Sequence, residues 1–275
     1  MTPHEKVIVV VGGAGGIGLA TAEMLLQKDY SLVVADKNSA RVDSFKSRYR
    51  ELLDKRVFPW TFDIADRRAC GEILQWIKGR LKFIDGLIIT AAVHNAHPVE
   101  YLADELVDRV LNVNLIAHIK FVRDCLPLIK DGGRIVAVSS IAAGIGIPME
   151  SLYSASKAGL EMFYESLSVE ISYRQIKCSV IHPGNINTGF NETGNDYQPQ
   201  GRPFVDEGYR KVIASIDSRR GMSPPTVART IVLAIASPNP RFCYVVGQNA
   251  LKAHWAKRLL GRDLALKVMA KYFGF

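Results

Sequence analysis

The stretch from Val7 to Gln27 constrains the fold of this 275-residue chain more than any other. Val7-Ile8-Val9-Val10-Val11 is a β-branched run without polar alternation, which suits a strand of a parallel sheet buried on both faces. Gly12-Gly13-Ala14-Gly15-Gly16-Ile17-Gly18 follows directly, and Leu19 to Gln27 then carries helical periodicity. Strand, glycine turn and helix together place backbone N–H groups and a helix N-terminus where they can hold a pyrophosphate. The glycines fit three spacings, through residues 12, 16 and 18, through 12, 15 and 18, or through 13, 15 and 18. The loop by itself does not choose among nucleotide-binding families.

A second strand, Ser31 to Ala35, ends in Asp36, 18 residues beyond Gly18. A carboxylate there accepts hydrogen bonds from both hydroxyls of an adenosine ribose and repels a 2′-phosphate, which favours NAD over NADP. Lys37 is a counter-signal, while Gly15 supplies no cation for a phosphate. Strand and helix signals then alternate. A helix capped by Asn38 or Ser39 is expected to about Leu53, a strand over Val57 to Phe62, and a helix capped by Asp66 to about Arg80. Asp63 follows the third strand at a position suited to the adenine edge. A strand from Gly86 to Thr90 leads into Ala91-Ala92-Val93, small residues that let backbone approach a cofactor, and a helix from Asp104 to about Ile119 holds Asn112 and Asn114 among apolar residues. Further strands are expected over Arg134–Val138, Lys177–His182 and Phe242–Val246, with helices over 151–171, 204–218 and 223–236. The pattern predicts an α/β doubly wound (Rossmann) parallel sheet with helices on both faces.

With 48% hydrophobic residues and no Ser/Gly/Pro-rich linker, the chain reads as a single catalytic domain over 1–250, followed by a basic amphipathic helical extension over 251–275 divided near Gly261. His4, Glu5 and Lys6 precede an apolar run too short for a signal peptide, and no apolar stretch is long enough for a bilayer, so a cytoplasmic location is expected. Cys70, Cys125, Cys178 and Cys243 are scattered, suggesting neither a disulfide framework nor a zinc site, and no metal is expected. The net charge of +8 is thinly spread, which argues against nucleic acid as partner. Its one concentration is the tail, where Lys252, Lys257, Arg258, Arg262, Lys267 and Lys271 face only Asp263.

Tyr153 and Lys157 stand four residues apart in a helical segment, hence on one face. An ammonium ~4 Å from a phenol contributes about 4 kcal/mol at an effective dielectric of about 20, enough to bring its titration toward neutral pH. Ser140 lies at the carboxyl end of a strand, 13 residues before Tyr153, and the loop between them can turn hydroxyl and phenol toward a common carbonyl.

With these features the chain resembles a short-chain dehydrogenase/reductase over about residues 5 to 250. Val11-Gly12-x-x-x-Gly16-Ile17-Gly18 is similar to that family's glycine motif, Asn114, Ser140, Tyr153 and Lys157 to its catalytic tetrad, and Pro183-Gly184 followed by Thr188 to its nicotinamide-side motif. The resemblance implies Tyr153 as general acid/base, Ser140 as hydrogen-bond partner of the substrate oxygen, Lys157 on the nicotinamide ribose and lowering the phenol pKa, and Asn114 holding a water. Gly12, Gly16, Ile17, Gly18, Asp36, Lys37, Asp63, Ala91, Tyr153, Lys157, Pro183, Gly184 and Thr188 are the expected cofactor contacts. Val11 stands where the family usually has Thr, and Ile89-Thr90-Ala91-Ala92 where it has Asn-Asn-Ala-Gly; Thr90 offers a hydroxyl in compensation.

The expected activity is NAD-linked interconversion of a secondary alcohol and a ketone. Residues 189–208, with Gly194, Pro199, Gly201 and Pro203, form a loop that closes over substrate in the family. Phe190, Tyr197, Phe204, Ile145, Ile147, Met149 and Leu152 suggest a bulky apolar substrate such as a steroid, bile acid or retinoid. His94, Asn95 and His97 read as solvated loop residues. The competing readings are an extended-branch sugar-nucleotide epimerase or dehydratase, disfavoured by the short C-terminal region and the Asn114 and Pro183-Gly184 motifs, and a non-catalytic NAD-sensing or scaffold protein, disfavoured by the intact tetrad. A homodimer or homotetramer is expected. The apolar, basic tail suits packing on a subunit first, then contact with an anionic membrane or cover of the active-site mouth.

Overall fold

Alternate side chains of the strands enter two separate cores, and this fixes the layers. In β1 (Val7–Val11), Val7, Val9 and Val11 face one core while Ile8 and Val10 face the other. The structure is a computed structural model that describes residues 6–190, 197–217 and 221–273, without the side chains of Lys257 and Arg258. Gly194 and Phe275 therefore lie outside the described residues. After β1 come α1 (Gly16–Leu26), β2 (Ser31–Asp36), α2 (Ser39–Arg48), β3 (Val57–Thr61), α3 (Arg67–Arg80), β4 (Ile84–Ile89), α4 (Asp104–Leu111) and α5 (Ala117–Cys125). The chain continues through β5 (Ile129–Val138), α6 (Ser151–Glu170), β6 (Lys177–Pro183), α7 (Pro203–Ser215), α8 (Pro224–Ala236), β7 (Cys243–Val246) and α9 (Gln248–Phe273).

The strands are all parallel in the order β3-β2-β1-β4-β5-β6-β7. Growth of the sheet reverses between β1 and β4, which opens a crevice at their carboxyl ends. Residues of α3, α5 and α6 cover one face of the sheet, and those of α1, α2 and α8 cover the other. A third cluster, Ala96, Met149, Tyr197, Tyr209, Val212 and Phe273, gathers the loops after β4, β5 and β6 with α7 and the end of α9.

Several boundaries differ from expectation. α2 ends at Arg48 and gives way to a tight turn over Arg50–Leu52. The helix expected over 104–119 is interrupted by a π-turn at Asn112–Ile116, for which the side chain of Asn114 supplies the reason given below. β5 begins at Ile129, and the extra strand is accommodated by a register irregularity between Ile84 and Gly86. α9 is interrupted at Gly261 (φ 71°), as expected. None of the four cysteines forms a disulfide, and three of them are buried. No described helix is long and apolar enough to cross a membrane.

Candidate active site

The glycine turn resolves into the spacing through 12, 16 and 18. Gly12 sits at φ +78°, and a Cβ there would stand 2.8 Å from Ala91 N. A Cβ on Gly18 would lie 2.0 Å from Gly12 O, so α1 approaches the turn closely only because Gly18 has no side chain. Gly16 also has positive φ, and the methyl group of Thr188 comes within 3.2 Å of its Cβ position, so the segment after β6 reaches across to the glycine turn. Thr90 Oγ1 is 3.1 Å from both Val11 O and Gly12 O, tying β4 to the turn. Its hydroxyl thus fastens the floor where Val11 has none. The resulting cradle is one that any Cβ would fill, and it fits a dinucleotide.

At the end of β2, Asp36 accepts from Ala14 N at 3.2 Å and from Asn38 N at 3.0 Å, which holds its carboxylate beside the turn. Lys37 is exposed. Gly15 itself supplies no cation, but one stands over it from elsewhere in the chain. The Arg41 guanidinium, carried on the first turn of α2, lies 2.6 Å from the Cβ position of Gly15. Sequence offered no sign of this, because α2 must fold back over the turn to bring it there. Ile17 is half-buried on α1. Asp63, behind β3, accepts from Ala65 N at 2.9 Å and so also shapes its own loop. At the opposite end of the cleft, Gly184 N donates to Val246 O at 3.0 Å, and Pro183-Gly184 is packed by Ala250 of α9, 3.3 Å from the Gly184 Cβ position.

The helical spacing brings Tyr153 and Lys157 of α6 to one face, both buried. Ser140 is hydrogen-bonded to the phenol. Lys157 Nζ donates to Val138 O at 3.1 Å and stands 5.7 Å from the Tyr153 ring centroid. Here an expectation is corrected. Burial first, and the charge of Glu150 second, push the Tyr153 phenol above its usual range, with only the Ser140 bond pulling it down. Burial pushes the Lys157 ammonium down to about 7. The amine's hydrogen bond goes to backbone, and burial, not attraction to the ammonium, dominates at the phenol.

Asn114 works as a clamp. Its Oδ1 accepts from Val93 N at 2.8 Å, and its Nδ2 donates to Val93 O at 2.9 Å and to Ser156 Oγ at 3.1 Å. The two bonds to one residue hold the strand end that floors the cleft, and the π-turn is the backbone adjustment that aims the amide at it. His118, which sequence reasoning missed, donates from Nε2 to Ala91 O at 2.9 Å, so the Ala91 floor is fixed from below. Burial and then Lys157 hold His118 down to about 3, hence neutral.

His94, Asn95 and His97 are not solvated: they are 2%, 0% and 7% exposed. His94 Nε2 donates to Glu150 Oε1 at 2.9 Å, and its ring packs edge-on against Tyr153 at 5.1 Å and against Phe190 at 5.9 Å. His97 packs on Tyr197, and its backbone N–H donates to Met149 O at 2.7 Å. The loop after β4 is therefore a wall of the site. Glu150 escaped notice, and its only signal was an acid in an apolar stretch three residues before Tyr153. Phe190 faces Tyr153 at 6.4 Å and Tyr197 is buried, but Phe204 points to solvent at 62% exposure.

A hydroxyl, a phenol and a buried amine converge beside a dinucleotide cradle, and the family described as short chain dehydrogenase matches residues 6–198. The chain belongs to that family. It is 28% identical over 249 residues to the 3-ketodihydrosphingosine reductase of Bacteroides thetaiotaomicron, covering 89% of this chain and 88% of that protein. It is 31% identical over 255 residues to a hydroxynaphthalene reductase-like protein of Metarhizium brunneum, covering 90% and 92%. A short chain dehydrogenase/reductase from Burkholderia phymatum, solved in complex with NAD, shares the fold with a TM-score of 0.81 at 20% identity, covering 96% of this chain and 95% of that one. The chain is an oxidoreductase of a family that uses a nicotinamide cofactor.

Proposed function

We propose that this oxidoreductase interconverts a secondary alcohol and a ketone on a bulky apolar substrate, with NAD preferred over NADP. The observation that carries the reading is the convergence of Ser140, Tyr153 and Lys157 under an apolar wall of Phe190, Met149 and Tyr197. Gly12, Gly16, Gly18, Asp36 and Thr188 would hold the dinucleotide, and when bound it supplies or accepts the hydride. Ser140 positions the substrate oxygen, and the Tyr153 hydroxyl delivers or removes its proton. Lys157, already buried on the same face, is placed to serve both the phenol and a ribose hydroxyl. Asp36 supports NAD, with Arg41 as the opposing charge. The names of the two relatives, reductases of a long-chain keto amine and of a fused aromatic, support a large apolar carbonyl compound and leave steroids, bile acids and retinoids as members of the same class.

The exposed Met162 and Val169 of α6 offer a helix face for a homodimer or homotetramer. In the tail, Phe273 is buried in the chain's own third cluster, which supports cover of the site by the end of α9. The outward Leu259, Leu264 and Tyr272 are left for a subunit or an anionic membrane surface. A cytoplasmic location completes the reading.

The test is a panel of apolar ketones and polar polyols with NADH and NADPH, read by absorbance. Turnover concentrated on apolar ketones with NADH is the expected result. Turnover on polyols alone would overturn the substrate class, and none on any member would favour a non-catalytic NAD sensor.

A further inference from the structure

A second group of reactive side chains lies behind the catalytic lysine and takes no part in the chemistry above. Val180 of β6 pairs with Cys243 of β7, and His182 with Val245, so His182 and Cys243 lie diagonally across neighbouring strands on one face of the sheet. That face is the one α6 covers, since Cys178 and Val180 share a core with Leu160 and Tyr164. Glu161, one turn beyond Lys157 on α6, brings its Oε1 to 3.5 Å from His182 Nε2. Donor atoms of Glu161, His182 and Cys243 all fall within 4.8 Å of one another. His182 is 2% exposed, and neither ring nitrogen makes a hydrogen bond. A buried imidazole left in that state carries a desolvation cost that native proteins seldom leave uncompensated.

We propose that Glu161, His182 and Cys243 bind one divalent transition-metal ion of the zinc class, with the fourth position left to water. A thiol, an imidazole and a carboxylate suit a borderline-soft ion and not magnesium or calcium, which take oxygen donors. Donors held ~2.0–2.3 Å from a tetrahedral ion stand ~3.3–3.8 Å apart, so the three need to close by about 1 Å. The Glu161 side chain is 20% exposed and Cys243 is half-buried, so an ion can reach the group from solvent. The donors lie 21 and 61 positions apart in sequence, too far for any metal motif, which is why scattered cysteines suggested no zinc site. A bound ion would tie α6 to the β6–β7 edge of the sheet, immediately before Pro183-Gly184.

Full-length protein kept reduced, stripped with a chelator and titrated with Zn²⁺ tests the assignment. One equivalent should bind, by elemental analysis and by competition with a chromophoric chelator, and Tm should rise by about 5 °C or more at a hundredfold excess over Kd. Co²⁺ in place of Zn²⁺ should give a thiolate charge-transfer absorption that disappears in Cys243→Ser. Affinity should fall at least a hundredfold in His182→Ala and Cys243→Ser, and not at all in Cys70→Ala. Substoichiometric binding, or unchanged affinity in Cys243→Ser, would overturn the site.

Discussion

On the cofactor side of the cleft, Gly12, Gly16, Gly18 and Asp36 come from a continuous stretch of 25 residues, and what matters at the glycines is backbone approach. On the substrate side, Ala96, Met149, Tyr197, Tyr209 and Phe273 come from five segments spread over most of the chain, and what matters is how side chains fill space. The first kind of construction fails sharply, because an added methyl meets backbone that cannot move aside. The second fails by degrees, because neighbouring side chains repack around a loss. Tyr153 is buried against the wall, its ring beside those of His94 and Phe190.

The largest effect expected is at Tyr153 itself. Tyr153→Phe keeps the ring contacts with His94 and Phe190 and removes only the proton-transferring hydroxyl. kcat should fall by roughly a thousandfold or more with the Kd for NADH within about twofold. Near-normal turnover would sink the mechanism. Gly18→Ala should act next most strongly and on the cofactor side alone. With its Cβ 2.0 Å from Gly12 O, the helix must withdraw from the turn, and NADH affinity measured by fluorescence titration should fall about a hundredfold. A change under threefold would mean that the turn is not the cradle.

Lys157 gives the comparison a pH axis. Its folded pKa of about 7 lies below the ordinary 10.5, so between these values the unfolded chain binds the extra proton and stability rises with pH. Below pH 7 both states are protonated and the burial penalty is fully present. From pH 7 to 9 the cofactor-free protein should gain roughly 2–3 kcal/mol, seen as a rising Tm that is missing in Lys157→Met. Equal slopes for the two proteins would show that the amine is not held in the buried environment described. His118, held down to about 3, contributes in the same sense over the acid window between there and its usual range.

How far the sequence could be read follows the same division. The sheet, the glycine turn and the pairing of Tyr153 with Lys157 rest on short spacings, and local periodicity reports these directly. Arg41 over Gly15, Glu150 against His94, and the clamp of Asn114 on Val93 depend on contacts across 21 to 56 positions, set only once helices dock on the sheet. His94, Asn95 and His97 illustrate the failure: three polar residues in a loop resemble a solvated turn until α6 and the segment after β6 close over them. The phenol misled in another way, since spacing reports that Lys157 is near but not that burial and Glu150 raise the phenol.

Asp36 tests whether the cofactor side is as simple as its backbone suggests. Asp36→Ala removes the repulsion of a 2′-phosphate and leaves Lys37 and Arg41 to attract one. It also frees Ala14 N and Asn38 N, so NADH should bind more weakly as well. The ratio of kcat/KM for NADPH over NADH should rise by about thirtyfold, and most of that gain should vanish when Arg41→Ala is added. A wild-type preference for NADPH would show that Arg41 and not Asp36 governs the choice, and a ratio in the double variant as high as in Asp36→Ala would show that Arg41 takes no part in it.

Phe273→Ala should have the smallest effect and is the sharpest test of the contrast. Its ring is 8% exposed and completes the third cluster from the far end of the chain, beside Met149 and Tyr197 and well away from the glycine turn in sequence. Deleting a buried Phe from a core costs about 3–5 kcal/mol, but a side chain on the last turn of a terminal helix can lose its contacts by local undocking without unfolding the sheet. Tm should therefore move little. The KM for a bulky ketone should rise about three- to tenfold, because the wall loses a side chain that keeps Tyr197 and Met149 in place, while kcat and the Kd for NADH stay within twofold. Equal losses in KM and in NADH affinity would show that the tail braces both halves through Ala250 on the Pro183-Gly184 turn, and the division between a backbone-built cradle and a side-chain-built wall would then not hold.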